Sequence, residues 1–124
     1  MKFEDLRDEC LLYPEHAEQL FQVYLDLREA KDFEEVNVIP APLLGRCLIH
    51  GLHPDTGNRY LVLPSLVTET WTVNKMDALF SALSREQNPQ LRAEATFRIT
   101  LGIIANDSTV TYLNLYRGIP SVRA

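Results

Sequence analysis

Of the chain's three histidines, His50 and His53 stand three residues apart, a spacing that could hold a metal ion, with Asp55 the one nearby further donor. Structural zinc sites take four ligands at better spacing, so solvated histidines at a strand end and in a loop are the plainer reading, and no metal or cofactor is expected. His50, His53, Tyr60 and Lys75 could instead compose a metal-free ribonuclease site. Cleavage by 2′-hydroxyl attack needs a base, an acid and a cation to hold the phosphorane charge, and His, Tyr and Lys supply these. Lys75 falls at a helix start, however, and nothing in the sequence brings it to the histidines. Tyr24 and Asp26 share a helix on which Tyr24 falls on the apolar face, a core position. Trp71 reads as a packing anchor beside a helix cap, with an interface role as the alternative. Arg85, Arg92 and Arg98, or Arg117 and Arg123, could touch RNA phosphate, although a solvated surface is the simpler account. No G-x-S-x-G or H-E-x-x-H occurs, and with 5 glycines in the chain phosphate cradling is poorly supplied.

Charge and composition narrow the classes further. The chain has 124 residues and a net charge of −5, which suits one domain over residues 1–124. Residues 1–35 hold 11 acidic and 4 basic side chains, a net of −7, and the remainder holds 6 and 8, a net of +2. An acidic chain repels a phosphate backbone overall, which disfavours stand-alone nucleic-acid binding. No apolar run approaches the ~20 residues of a membrane helix. The first residues run into charge rather than an apolar signal core, so secretion is not expected. Cys10 and Cys47 lack C-x-x-C or zinc spacing and read as buried free thiols of a reducing compartment.

The elements that must position these residues follow from periodicity. Residues 3–12 could form a short helix, with Phe3, Leu6 and Cys10 at helical spacing. Pro14 suits a first helical turn, and Ala17, Leu20, Phe21, Tyr24 and Leu27 form an apolar stripe to about Lys31. Val36, Val38 and Ile39 read as a strand ending at Pro40, residues 46–50 as a second, and Tyr60 to Leu63 as a third stopped by Pro64. Between them, residues 53–58 carry turn chemistry. Thr72 could cap a helix with Met76, Leu79, Phe80 and Leu83 on one stripe, closed by Asn88-Pro89. Phe97, Ile99, Leu101 and Ile103 alternate with Thr96, Arg98, Thr100 and Gly102, and residues 109–116 form the partner strand across Asn106-Asp107-Ser108. In that last strand Val110 and Tyr112 face one way, Leu113 and Leu115 the other. Two apolar faces mean a central strand or one covered by another chain. Asp107 at the tip is turn chemistry by type, and would otherwise be an acidic finger for a basic cleft. The fold class is α/β (α+β): a mixed sheet flanked by helices with a C-terminal β-hairpin.

Two segments carry a resemblance. Residues 23–37, VYLDLREAKDFEEVN, resemble the VYLDL…EVN segment of the small structural subunit of the eukaryotic tRNA-splicing endonuclease. The hairpin LGIIANDSTVTY, residues 101–112, is similar to that subunit's LAI…DSTIVYY, and Tyr116-Arg117-Gly118 is similar to its fungal members. The resemblance implies the C-terminal domain fold of tRNA-intron endonucleases and a non-catalytic subunit, not an enzyme, in a heterotetramer that removes introns from precursor tRNA. It implies pairing with the smaller catalytic subunit and, through it, with the other subunits, and an indirect relation to precursor tRNA. The interface would comprise Asn106, Asp107 and Ser108 of the loop, with Thr109, Val110, Thr111, Tyr112, Leu113 and Leu115 of the last strand. An isolated chain could form a homodimer through the same strand. The family's catalytic lysine and histidine have no counterparts at the matching positions: no lysine follows Lys75, and Gly57-Asn58-Arg59 stand where the histidine would. The implied compartment is the nucleus or, in a yeast, the cytosolic face of the mitochondrial outer membrane, without membrane insertion. The alternatives are a small independent ribonuclease using His50, His53 and Lys75, and a generic adaptor domain.

Overall fold

The computed structural model of the chain describes residues 12–94 and 98–116. The expected N-terminal helix lies, but for its last residue, outside them, as do Cys10, Thr96, Phe97, Arg117 and Arg123.

A 3-10 turn at Pro14–His16 leads into helix α1, Ala17–Leu25, which ends in a wider π turn at Asp26–Ala30. Leu20, Val23, Tyr24 and Leu27 are its buried residues, so the stripe read from the sequence is the face that packs. Strand β1, Glu34–Ala41, pairs antiparallel with β2, Arg46–Leu52, and β2 pairs antiparallel with β3, Arg59–Leu66. The turn between β2 and β3 closes where His53 N donates to Asn58 O at 2.9 Å, with Gly57 at φ +72°, a conformation that favours glycine. Helix α2, Val73–Ser84, starts as expected: Thr72 Oγ1 accepts from Lys75 N at 3.1 Å. A short helix α3, Pro89–Glu94, leads to β4, Arg98–Ile104, and the hairpin to β5, Val110–Tyr116.

The sheet order is β1-β2-β3-β4-β5, with β3 and β4 parallel and every other pair antiparallel. The parallel join follows because α2 and α3 form the crossover from β3 to β4. On one face α1 packs over Val36, Cys47, Ile49, Val62 and Ile104. On the other, Leu79, Phe80, Leu83 and Leu91 pack over Ile39, Leu48, Leu61, Leu63, Ile99 and Leu101. The result is the mixed sheet flanked by helices that the patterning implied. Gly102 permits the close approach of α1, since a Cβ there would lie 3.0 Å from a Val23 methyl. Among the described residues, no helix is long and apolar enough to cross a membrane.

Three boundaries differ from the sequence reading, and each has a physical reason. Pro64 does not stop β3, which continues to Leu66. The β2 ladder reaches only Val62, and Pro64 O accepts from Arg46 Nη2 at 2.6 Å. A strand residue's N–H and C=O point to the same side, so the proline's missing donor faces a side with no ladder to lose. Pro40 lies within β1 because β1 is an edge strand. Asn88-Pro89 does not close α2; it opens α3, where a proline at the first position costs no hydrogen bond.

Candidate functional site

The last strand expresses both of its apolar faces at the edge of the sheet. β5 pairs with β4 through seven consecutive partners, from Arg98↔Tyr116 to Ile104↔Val110. Toward α2, Leu115 is buried (8% exposed), whereas Leu113 is 50% exposed. Toward α1, Val110 and Tyr112 are half-buried and Tyr116 is 46% exposed. Among the described residues β5 is thus an edge strand, not a central one. The sequence VTYLNLY holds no charge, proline or glycine, which are the usual devices that keep an edge from pairing.

The hairpin tip is built by local chemistry. Ala105 N donates to Thr109 O and Ser108 N to Ala105 O, both at 2.9 Å, with Ser108 at φ +72°. Asp107 Oδ1 accepts from Thr109 Oγ1 at 2.7 Å and from Thr109 N at 3.1 Å. These bonds hold the Asp107 carboxyl below its ordinary pKa, so the exposed tip carries a negative charge at neutral pH. Gln22 Nε2 donates to Ser108 O at 2.9 Å and ties the tip to α1. Asn106 and Thr109 are exposed beside it. The turn reading of Asp107 thus holds, and its charge stays free to meet a partner.

A second tie fixes the strand. Tyr112 Oη donates to Asp26 Oδ2 at 2.5 Å. Burial, then the bond to Asp26 and its negative charge, push the phenol well above its ordinary pKa, so it stays a donor throughout the physiological range. The Asp26 that sequence reading set beside Tyr24 is therefore a positioning group for β5, and Tyr24 is a core residue at 5% exposure.

The sequence-derived ribonuclease set is dispersed. His50 is 3% exposed in mid-β2, and strand alternation puts it on the α2 face with Leu48 and its partner Leu61. His53 lies on the α1 side against Phe33 and Tyr60, and its Nδ1 accepts from Asp55 N at 3.2 Å and Thr56 N at 3.3 Å. Lys75 lies past the other end of β3, bonded to Glu69 Oε2 at 2.8 Å and with Nζ 4.4 Å from the Trp71 ring centre. From Tyr60 to the end of β3 alone is about 20 Å at a strand rise of about 3.3 Å per residue. No cluster of three metal-ligating side chains occurs among the described residues.

The polar group that the sequence reading missed is Glu69. Its carboxylate accepts from Arg46 Nη1 and Lys75 Nζ at 2.8 Å each, and from Ser65 Oγ at 2.8 Å, while Trp71 Nε1 donates to Ser65 Oγ at 3.0 Å. Burial acts to raise its pKa, but the bonds from Arg46, Lys75 and Ser65 outweigh it and bring the group down to about 2. Trp71 is thus a packing anchor, as its position suggested. Cys47 is a buried free thiol.

With this geometry in place, comparison with known proteins becomes specific. The Sen15 protein family matches residues 22–123. The tRNA-splicing endonuclease subunit Sen15 of Homo sapiens is 31% identical over 99 residues, covering 79% of this chain and 56% of that protein. The Mus musculus subunit of the same name is 30% identical over 98 residues, with the same shares. The chain spans about half the length of these curated relatives. The family match takes in the end of α1, the whole sheet and the β5 edge, and on this ground the chain belongs to the Sen15 family.

Proposed function

We propose that this chain is a non-catalytic structural subunit of the tRNA-splicing endonuclease, forming one domain over residues 1–124. In this reading it pairs with the smaller catalytic subunit and, through it, with the remaining subunits that remove introns from precursor tRNA, in the nucleus or at the mitochondrial outer surface. The relatives' shared name supports the assembly. The observation that carries the mode of pairing is the β5 edge: seven uncharged residues with no bulge, with Leu113 and Tyr116 about half exposed. Thr109, Val110, Thr111, Tyr112, Leu113 and Leu115 would face the partner's strand, which would take up the open backbone groups. Asn106, Asp107 and Ser108 would dock the negative tip into a basic cleft. The dispersal of His50, His53 and Lys75 speaks against the independent ribonuclease, because base, acid and cation must converge on one phosphate.

The test is cleavage of an intron-containing tRNA precursor by the purified chain, alone and with the catalytic partner. Cleavage only in the mixture, retained in His50→Ala and lost in Leu113→Asp, is the expected result. Cleavage by the chain alone that His50→Ala abolishes would overturn it.

A further inference from the structure

The α1 face holds a cavity of about 270 Å³ where the end of the π turn meets β3, β4 and β5. Lys31, Phe33, His53, Tyr60, Thr100 and Asn114 contribute to its lining. The π turn sets the cation in place: Lys31 N donates to Asp26 O at 3.0 Å, which brings the side chain to the mouth of the cavity. Lys31 has no ion pair among the described residues.

His53, Thr100 and Asn114 bring polar side chains to the lining. The amides of Asp55 and Thr56 both bond His53 Nδ1, so a neutral ring carries its proton on Nε2. Thr100 Oγ1 lies 2.7 Å from Asn114 Oδ1 and donates to it, leaving the two N–H groups of Asn114 without a partner among the described residues. No carboxylate lines the cavity. Beside it, the Arg98 guanidinium lies 4.4 Å from the Tyr60 ring centre, held by a 2.9 Å bond from Nη2 to Arg59 O. One wall is aromatic: Phe33 meets His53 and Tyr60 edge to face at 5.5 and 5.7 Å.

A recess with an unpaired ammonium, an amide NH2 without a partner among the described residues and an aromatic wall suits a phosphate joined to a ring. We infer that this cavity is a binding site for one nucleotide of single-stranded RNA. Lys31 and Asn114 meet the phosphate, with Arg98 adding to the positive field, and the Phe33–His53–Tyr60 wall meets the base or ribose. Lys31 and Arg98 are the cations at this site within a chain whose net is −5, and the Asp26 carboxylate beside it is taken up by Tyr112, so the site suits one phosphate rather than an extended backbone. The choice of RNA over a free nucleotide rests on the proposed function; the cavity itself does not depend on the pairing of β5.

The experiment is titration of the full chain with a four-residue oligouridylate, followed by amide chemical shifts, with uridine monophosphate and inorganic phosphate in parallel. Saturable shifts at Lys31, Thr100 and the Asn114 side-chain amide are expected. Lys31→Glu and Asn114→Asp should each weaken binding roughly tenfold or more, since each removes a donor to the phosphate and sets a carboxylate beside it. Asn114→Asp keeps the acceptor that Thr100 uses, and the remaining resonances report an intact fold. If two phosphates are engaged, a fourfold rise in salt should weaken binding about sevenfold. Absence of saturable shifts, or shifts that both variants leave unchanged, would overturn the inference. Equal affinity for inorganic phosphate would reduce the site to a bare anion hole, and equal affinity for uridine monophosphate would assign it to a free nucleotide; either result overturns RNA binding. Because no partner is present, failure here leaves the pairing proposal intact, and failure of Leu113→Asp to disrupt cleavage leaves the cavity intact.

Discussion

The two edges of the sheet are built on opposite principles. β1 breaks its own ladder: pairing jumps from Glu34↔Leu52 to Asn37↔His50, and Glu35 sits at φ +51° inside the irregularity. Its exposed end carries two glutamates, and Pro40 removes a donor farther along. Each of these devices discourages a further strand from adding. β5 has none of them, only an unbroken ladder and uncharged side chains. Side-chain polar ties also hold the sheet near each edge. The corner between β1 and β2 is held through Arg46, paired across to Ala41 and bonded to Glu69 and Pro64 O. β5 is held through Tyr112 and Asp26. One sheet thus carries an edge protected from pairing and an edge prepared for it, and only the prepared one continues into an anionic tip.

The largest effect should come from breaking the prepared edge. Leu113→Asp sets an unpaired carboxylate in an apolar seam, expected to cost ~3 kcal/mol or more, over 100-fold in partner affinity. Co-purification and interferometry measure it, and the isolated variant should melt as the parent does because Leu113 is half exposed. The matched change on the protected edge, Asn37→Asp, should leave partner affinity within about 0.5 kcal/mol. Equal losses from both variants would dissolve the distinction between the edges.

Next in size is the tie at the β1–β2 corner. Glu69→Ala leaves Arg46 buried without its carboxylate and should destabilise the fold by about 2–3 kcal/mol in urea titrations. The same group gives a pH signature. Its folded pKa is near 2, below the ordinary 4.5, so its stabilisation is present above pH 4.5 and is lost as pH falls toward 2. The urea midpoint should therefore decline through that window in the parent and less so in Glu69→Gln.

Tyr112→Phe removes the tie at the other edge and should cost about 1.5 kcal/mol, as for a hydrogen bond to a charged group. Increased exchange of β5 amides, with β1 amides unchanged, would localise the loss. Smallest of all, Asp107→Asn preserves the turn, since its side-chain oxygen still accepts from Thr109, so stability should stay within about 0.5 kcal/mol. Partner affinity should fall a few-fold, at low salt more than at high, if the tip enters a basic cleft. A salt-independent affinity, unchanged by the substitution, would remove the tip from the interface and confine pairing to the strand.

Much of this was legible in the residues. The α1 stripe, the Thr72 cap and the β4–β5 hairpin are local patterns, since spacing along the chain decides which face of a helix or strand is apolar. The double-faced apolarity of residues 110–115 was local too, and with the resemblance of the two segments it pointed to an interface. Pro64 misled because proline reads as a stop unless one knows that the neighbouring ladder has already ended. His50 and His53 misled because three residues of sequence crossed from one face of the sheet to the other.

Sequence alone therefore determined most of the elements and their buried faces, though not α3 or the end of β3, together with the missing lysine and the family, all carried by residue type at short range. Tertiary structure decided strand order, and with it that β5 is an edge. It also decided that Asp26 answers Tyr112, that Glu69 gathers Arg46, Lys75 and Ser65, and that Lys31, His53, Tyr60 and Asn114 share one cavity. Those residues come from distant segments, and no spacing rule encodes a meeting that only the packing of a helix on a sheet produces.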